Sequence, residues 1–310
     1  EGDTDRTMAS TRLQKPMLIV GSVNVDLSFY VETFPSPGET TSATGFKKAY
    51  GGKGANQAAM SAILNGSAIM IAKVGEDAHG KECVENLSSF GVDVEGVLKT
   101  SSAPTGTAAI QVDSAGENLI IVVGGANDEL SADDVSTLGS AFDSSQALIC
   151  QLEVPVPTVL KAMEIAQSKG KVIYFNPSPC PRAVESILPL LSIADVVIPN
   201  QGELGLLTSL PTSTQEECTT AARALLTSNS NLKAVIATLG SSGSLYITAS
   251  DSIHSPPTKL SGPVIDTVGA GDCFLASVAY ELECGSTAEE AMGRANLLAS
   301  KSIQKEGAMS

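Results

Sequence analysis

Short apolar runs alternate with helical patterns through the second half of the chain. The runs rich in β-branched residues lie at 147–152, 171–175, 195–198 and 233–237, and the helical patterns lie at 155–169, 182–191 and 214–228. An apolar run near the start, residues 17–23, is typical of a further buried strand. Because strands that alternate with helices form right-handed βαβ units, the pattern predicts an α/β fold with a doubly wound, mostly parallel sheet.

Two stretches in the first half have a different pattern, in which apolar and polar residues alternate around a turn. They lie at about 27–50 and 106–124. Alternation of this kind favours strands with one face in solvent. We therefore expect both stretches to be inserted into one domain, residues 16–310, and to form a small β-sheet lid on it.

The first fifteen residues are polar and show no periodicity, so we expect residues 1–15 to form a disordered N-terminal tail. The sequence starts with Glu1, and a presequence could have been removed from it. The expected location is the cytoplasm, or the stroma of a plastid or another organelle if a presequence has been cleaved. The apolar runs fall short of the ~20 residues that cross a bilayer, so a soluble protein is expected.

Polar residues follow the predicted strands at the positions where the strands end. These residues are Asn24, Asp26, Glu153, Asn176, Asn200 and Thr238. A single polar residue in such a position usually caps the next helix. Because the carboxyl ends of parallel strands form the edge where open α/β sheets bind ligands, six of them together predict a ligand cleft.

One stretch, residues 264–274, predicts phosphate chemistry. Gly269, Ala270 and Gly271 allow a tight turn with accessible amides, and the run from Asp272 to Glu283 is helical in pattern. Unpaired amides at a helix N-terminus favour phosphate. A carboxylate beside phosphate is expected only if it accepts a proton, as the base of a phosphoryl transfer does. The alternative is that Asp272 simply caps the helix.

Three further candidate sites are the stretch Gly51–Gln57, the turn 238–243 and Glu203. Gly51–Gln57 enters a helix and could be only a hinge and a cap, but with Asn24 and Asp26 it offers donors and an acceptor for sugar hydroxyls. The turn 238–243 suits nucleotide phosphates or is an ordinary connection. Glu203 is a plausible outer-shell magnesium ligand.

Composition excludes several classes of function. The chain carries 34 acidic and 19 basic residues, a formal charge of -15, which argues against binding to nucleic acid or to an anionic membrane. The six cysteines form no C-x-x-C pair, so a zinc or dithiol site is not expected. With two histidines in the chain, a Cys-His or Ser-His nucleophile is improbable.

Two motifs carry a resemblance to a known family. Residues 51–57 read Gly-Gly-Lys-Gly-Ala-Asn-Gln, and residues 266–272 read Asp-Thr-Val-Gly-Ala-Gly-Asp. Both resemble motifs of the ribokinases, within the carbohydrate and purine kinase family. Residues 34–39, 151–153, 176–179 and 238–241 agree with that family in order and spacing, so the resemblance extends from about residue 18 to the end of the chain.

The resemblance implies a kinase that transfers the γ-phosphoryl group of ATP to the 5-hydroxyl of D-ribose, with Asp272 as the base and the amides of Gly269, Ala270 and Gly271 around the phosphoryl group. The implied ribose ligands are Asn24, Asp26, Gly52, Lys53, Gly54, Asn56 and Glu153. The implied ATP ligands are Asn200, Thr238, Leu239, Gly240, Ser241, Ser242, Gly243, Gly271 and Asn296. Magnesium is expected near Glu203. Fructose, another pentose or a nucleoside remains open as the acceptor, and so does a retired kinase that only senses sugar.

The resemblance also implies a monovalent-cation site, with K⁺ near Asp266, Val268, Ser302, Lys305, Gly307 and Ser310. Two carboxylates, Asp266 and Asp272, flank the predicted phosphate turn and would repel each other, so a cation beside Asp266 is electrostatically reasonable. Alternatively, Asp266 bonds only to the backbone of its own turn. Exposed apolar residues of the lid would favour the pairing of two chains, and a homodimer is expected.

Overall fold

The computed structural model describes residues 12–115, 117–305 and 307–309. The strands are β1 (Met17–Val20), β2 (Asn24–Tyr30), β3 (Gly45–Gly51), β4 (Ala68–Gly75), β5 (Val92–Asp93), β6 (Val97–Thr100), β7 (Gly106–Val112), β8 (Asn118–Val123), β9 (Leu148–Cys150), β10 (Ile173–Phe175), β11 (Val196–Val197), β12 (Ala234–Thr238), β13 (Ser244–Ile247) and β14 (Ser252–Ser255). The helices are α1 (Lys53–Asn65), α2 (Ala78–Ser89), α3 (Ala132–Thr137), α4 (Gly139–Ser144), α5 (Val156–Ser168), α6 (Leu188–Ile193), α7 (Gln201–Thr208), α8 (Gln215–Ser228), α9 (Ala270–Glu283) and α10 (Ala288–Ser302).

The large sheet has the predicted α/β architecture. Its strand order is β14-β13-β12-β11-β10-β9-β1-β4-β5, and β6 pairs with β4. The pairs from β12 to β5 are parallel, and β13 and β14 form an antiparallel edge. The prediction of a doubly wound, mostly parallel sheet is therefore confirmed.

Helices cover both faces of this sheet, which explains why its strands are continuous apolar runs. Along β1, Leu18 and Val20 pack into a core shared with α5 and α8, whereas Met17 and Ile19 pack into the core on the opposite face, shared with α1 and α9. All four side chains are fully buried. Alternate residues of β1 thus enter opposite cores.

The two alternating stretches form a second, separate sheet in the order β3-β2-β7-β8. The outer pairs are antiparallel and the central pair, β2 with β7, is parallel. Strand β8 differs from the expected pattern of one solvated face, because Leu119–Val123 are all exposed on both faces, with Ile121 at 68%. The reason is its place at the far edge of the small sheet, where no other described element covers it.

Local differences from the sequence pattern have local causes. The predicted helix 182–191 is a 3₁₀ turn at Val184–Ile187 followed by the short helix α6, where Pro189 lies in the first turn. Helix α9 begins at Ala270, two residues before the predicted start. Residues 1–11 of the predicted tail lie outside the described residues, whereas Leu13 hydrogen-bonds to Asn65 and Lys15 to the carbonyl of Asp143. Over the ranges that the structure describes, the helices are each too short or too polar to span a bilayer.

Candidate active site

The turn before α9 depends on one glycine. Gly269 is the N-cap of α9 and has φ of 77°, a conformation that favours glycine. A Cβ at this position would lie 2.5 Å from the Cβ of Ala308, because the C-terminal segment packs directly on the turn. Within the described residues no side chain caps α9. Ala270 N donates to Thr267 O at 3.3 Å, and the amides that follow it in the first turn are the ones that could receive an anion.

Asp272 lies in the first turn of α9 and is 7% exposed. Its Oδ2 accepts a hydrogen bond from Asn56 Nδ2 at 2.9 Å, and its Oδ1 accepts one from Gln57 Nε2 at 2.8 Å. The carboxylate is thus held by two side chains of α1. The alternative, that Asp272 simply caps its own helix, does not describe these contacts. Burial raises the pKa of Asp272, while the charge of Lys53 and the two amide hydrogen bonds oppose that rise.

The N-terminus of α1 is built on two close backbone approaches. A Cβ at Gly52 would meet Asn24 N at 2.8 Å, and one at Gly54 would meet Ser22 N at 2.6 Å. Glu153 then acts as the cap, since its Oε2 accepts hydrogen bonds from Lys53 N at 3.0 Å and Ser22 Oγ at 2.6 Å. The first amide of α1 is thus capped from outside the helix by Glu153, which holds the start of α1 near the carboxyl end of β9.

A cavity of about 250 Å³ opens beside Asp272. It lies along the carboxyl ends of β10, β11 and β12, where the sequence pattern predicted a cleft. The residues that line it are Lys53, Asn176, Ser178, Ile198, Asn200, Glu203, Thr238, Thr267, Gly269, Gly271, Asp272 and Leu275. The cavity therefore brings together the predicted base, the phosphate turn and the predicted nucleotide end of the site.

A second cavity of about 340 Å³ lies between the inner face of the small sheet and the segment before Gly269. Asp26, Ser28, Ile110 and Ile120 line it from the sheet, and it shares Thr267 with the first cavity. The pKa of Asp26 rises to about 6, first because of burial and then because of the nearby charges of Glu153 and Asp266. A half-buried acceptor near two other carboxylates would be stabilised by hydroxyl donors from a ligand.

Among the remaining predicted ribose ligands, Asn24 and Asn56 are buried and Lys53 and Glu153 are half-buried, and of these four residues Lys53 alone lines one of the two cavities. Asn24 is 6% exposed, and its Oδ1 accepts a hydrogen bond from Asn127 Nδ2 at 2.7 Å. Asn56 is also 6% exposed, and its Oδ1 is buried without a hydrogen-bond partner among the described residues. A buried acceptor that lacks a donor is costly, so Asn56 suits a hydroxyl ligand.

At the nucleotide end, Asn200 and Glu203 are engaged with each other. Asn200 N donates to Glu203 Oε2 at 2.8 Å and Glu203 N donates to Asn200 Oδ1 at 2.8 Å, which is a capping box at the start of α7. Both residues also line the first cavity. The cap is thus present, and it fixes both side chains at the cavity wall.

The turn 238–243 follows β12 with glycines at positive φ, 56° at Gly240 and 89° at Gly243. Thr238 lines the first cavity, whereas Leu239, Gly240, Ser241, Ser242 and Gly243 do not. Asn296 also lies outside the cavity wall, because its Nδ2 donates to Ser255 Oγ at 2.9 Å. These residues flank the cavity on the side of β13 and β14.

Asp266 joins the segment before the turn to the C-terminal segment. Its Oδ1 accepts a hydrogen bond from Val268 N at 2.9 Å, and its Oδ2 accepts one from Gly307 N at 3.0 Å. The alternative reading, a bond to the backbone of its own turn, therefore describes half of its contacts. Ser302 O accepts a hydrogen bond from Lys305 N at 3.1 Å, and Ser310 lies outside the described residues.

Comparison with known proteins agrees with this geometry. The profile described as "pfkB family carbohydrate kinase" matches residues 14–310. The chain belongs to the pfkB family of carbohydrate kinases. It is similar to a ribokinase of Staphylococcus aureus, with 34% identity over 94% of each chain. It is equally similar to a deoxyribokinase of Salmonella typhi, with 34% identity over 94% of each chain. The structure of Arabidopsis thaliana ribokinase complexed with ribose and ATP superposes with a TM-score of 0.85, at 32% identity, and covers 96% of this chain and 95% of that one.

Sequence reasoning missed several residues of this pfkB kinase site. Gln57 was part of the quoted motif, yet no role was assigned to it, and only the structure brings it to Asp272. Asn127 is 1% exposed and holds both Val23 and Asn24, but nothing in its sequence surroundings distinguishes it from a turn residue. Thr267 could have been found, because it lies inside the motif 266–272.

Proposed function

We propose that this pfkB kinase transfers the γ-phosphoryl group of ATP to the 5-hydroxyl of D-ribose, giving ribose 5-phosphate and ADP. The observation that carries the proposal is the buried carboxylate of Asp272, which is held by two amides, lines the first cavity and lies in the first turn of α9. The similarity to a ribokinase structure that contains ribose and ATP supports the same assignment.

In the proposed reaction, Asp272 takes the proton of the acceptor hydroxyl as its oxygen forms a bond to the γ-phosphorus, and the bond from that phosphorus to the ADP oxygen breaks. The amides of the turn Gly269–Gly271 stabilise the negative charge that develops on the transferring group. Lys53 lines the same cavity and adds a positive charge there. These groups are fixed before substrate binds, which is the arrangement that electrostatic catalysis requires.

Ribose would bind under the small sheet and ATP along the ends of β11 and β12. The proposed sugar ligands are Asn24, Asp26, Gly52, Lys53, Gly54, Asn56 and Glu153, and the unpaired Asn56 Oδ1 supports this assignment. The proposed nucleotide ligands are Asn200, the turn Thr238–Gly243, Gly271 and Asn296. The small sheet would close over the sugar as a lid and exclude water, which otherwise competes with the acceptor hydroxyl.

Magnesium and potassium are part of the proposal. Among the described residues, no three His, Cys, Asp or Glu side chains group together as a metal site. Glu203 lines the cavity with one oxygen engaged in the capping box, so it fits a magnesium ion held mainly by phosphates and water. Such an ion would neutralise charge on the transferring phosphate.

For potassium, Asp266 and Gly307 are already in contact, and both carboxylate oxygens of Asp266 keep a further acceptor site. We propose that Asp266, together with the carbonyls of Val268, Ser302, Lys305 and Gly307, holds the cation, with Ser310 as a further ligand. Oxygen donors of this kind suit a hard, weakly held ion. Its role would be to fix the amide positions of the Gly269 turn.

The exposed apolar edge of the small sheet supports a homodimer. Leu119, Ile121 and Val123 are each more than half exposed, and Phe29 and Phe46 stack at 5.3 Å on the same sheet. A contiguous apolar surface of this kind marks an interface. A second chain that packs on it would cover the strand that is otherwise exposed on both faces.

A second acceptor, 2-deoxyribose, is favoured by the equal similarity to a deoxyribokinase. The test is an assay of ADP release over a panel of ribose, 2-deoxyribose, fructose and nucleosides. The proposal predicts the highest kcat/KM for ribose. A preference of about tenfold or more for any other acceptor would replace ribose, and the absence of ADP release with every acceptor would favour a sugar-sensing protein.

A further inference from the structure

Two buried glutamines connect the backbone of β1 to Asp272. Gln57 and Gln151 are both fully buried. Gln151 Nε2 lies 3.3 Å from Val20 O and 3.3 Å from Gln57 Oε1, and Gln57 Nε2 donates to Asp272 Oδ1 at 2.8 Å. The chain of contacts runs from strand β1 of the large sheet, through one side chain after β9 and one on α1, to the first turn of α9.

The order of donors and acceptors in this chain is fixed. An ionised carboxylate accepts hydrogen bonds only, so Gln57 must present its Nε2 to Asp272 and its Oε1 to Gln151. Gln151 then presents Nε2 to both Gln57 and Val20. The space that Gln151 fills depends on Gly21, where a Cβ would lie 1.9 Å from Gln151 Nε2. The Gln57 amide is held at both ends and cannot rotate without losing its partners, whereas Gln151 is held through its Nε2 and its Oε1 is buried without a partner among the described residues.

We propose that Gln57 is a positioning residue for the catalytic base, which keeps the Asp272 carboxylate ionised and aimed at the acceptor hydroxyl, and that Gln151 fixes the orientation of the Gln57 amide. The inference rests on the proposed function, since it requires Asp272 to act as the base. Asn56 holds the other oxygen, but its own Oδ1 lacks a partner among the described residues and is left for substrate. Gln57 leaves no acceptor for the substrate, because its Nε2 and its Oε1 are both engaged within the protein.

The charges around Asp272 determine in which direction its pKa should change when Gln57 is replaced. The positive charge of Lys53 on α1 lowers the pKa of Asp272, the negative charge of Glu153 after β9 raises it, and burial raises it most. Removal of the Gln57 donor takes away a hydrogen bond to the charged form, so the pKa of Asp272 should rise further. A general base works only when it is deprotonated, and the acidic limb of the pH–rate profile should therefore move to higher pH.

The test is Gln57→Met, which keeps the length of the side chain and removes its donor. Single-turnover rates are measured across pH with ribose and ATP at saturation. The inference predicts a rate about tenfold lower at neutral pH, an acidic limb shifted upward by roughly one pH unit, and a KM for ribose within about twofold. The matched control is Asn65→Leu, which removes another buried amide of α1 whose partner is Leu13, far from Asp272. The acidic limb of the pH–rate profile of Asn65→Leu should coincide with that of the parent.

Three outcomes separate this inference from the proposed function. If Gln57→Met lowers the rate equally at all pH values, or leaves it unchanged, the positioning role is wrong while Asp272 remains the base. If Asp272→Asn retains the parent rate, the base assignment fails and the role of Gln57 fails with it. Should Gln57→Met not fold, Gln151→Met leaves the donor in place but free to turn, and it must give a smaller limb shift of the same sign or the inference is overturned.

Discussion

The two sheets of this kinase differ in what surrounds them. Strand β1 of the large sheet is buried on both faces, and strands β10, β11 and β12 of the same sheet end at the polar residues Asn176, Asn200 and Thr238, which line the first cavity. The small sheet has one face toward the second cavity and an edge strand, β8, that is exposed on both sides. The large sheet therefore offers fixed positions for the proposed base and the proposed phosphate site, while the small sheet offers the proposed acceptor site and an apolar surface.

The two sheets meet at a buried cluster of hydrogen bonds, which we call the junction. Strand β2 starts at Asn24, four residues beyond the end of β1, and Asn127 binds the backbone of Val23 and the side chain of Asn24 there. This junction ties the root of the small sheet to the large one. We therefore expect substitutions on the large sheet to alter the rate of phosphoryl transfer. Substitutions on the small sheet should alter substrate affinity or the association of two chains.

The largest effect is expected for Asp272→Asn, on the large-sheet side. The variant keeps the size of the side chain but cannot take a proton, so kcat should fall by roughly 10²-fold or more, with ribose binding largely kept. Steady-state kinetics and a ribose titration measure the two quantities. Glu281→Gln is the matched control, because Glu281 is a buried carboxylate of the same helix that pairs with Arg294. A kcat for Asp272→Asn within a few-fold of the parent would make Asp272 a structural residue only.

The next effect is expected for Asp26→Ala, on the small sheet. Loss of a half-buried acceptor at the sugar site should raise the KM for ribose by about tenfold or more, while the KM for ATP stays near that of the parent. Initial rates over both substrates measure this. Glu32→Ala, an exposed carboxylate of the same stretch, is the control. If Asp26→Ala weakened only ATP, the two ends of the cleft would have to be exchanged.

A third prediction concerns the exposed edge of the small sheet. A lysine at Ile121 would place a charge in the proposed interface, so Ile121→Lys should weaken the dimer by about tenfold or more. Sedimentation velocity over a range of concentrations measures the shift toward monomer. Leu206→Lys changes an apolar residue of α7 that is 48% exposed and should leave association unchanged. Equal association of both variants and the parent would exclude β8 as the interface.

The smallest effect is expected for potassium, at the proposed cation site beside Asp266. Activity should rise several-fold in potassium compared with a bulky organic cation at the same ionic strength, because the ion fixes the amides of the Gly269 turn. Asp266→Ala should remove this response and keep ATP binding. If the variant loses activity equally in both cations, Asp266 supports the turn only through its bonds to Val268 and Gly307. Equal rates of the parent in the two cations would contradict the cation site.

The sequence by itself determined the fold class, the two stretches that form the small sheet and the glycine turn before α9. Buried strands must be apolar on both faces, glycine must occupy close backbone approaches, and polar residues must follow where strands end, so each of these features leaves a local pattern. The resemblance in two short motifs named the family that the comparisons then showed. The choice of sugar left no such pattern, since a ribokinase and a deoxyribokinase are similar to this chain to the same extent.

Only the tertiary structure decided how the carboxylates are held. Asp272 and Gln57 are separated by 215 positions in the chain, and their contact exists because α1 and α9 pack on the same face of the large sheet. The dual role of Asn200 and Glu203, as a cap and as a cavity wall, and the burial of Asn127 at the junction also depend on packing. A sequence records which groups are available, but the partner of a buried polar group is set by the elements that fold around it.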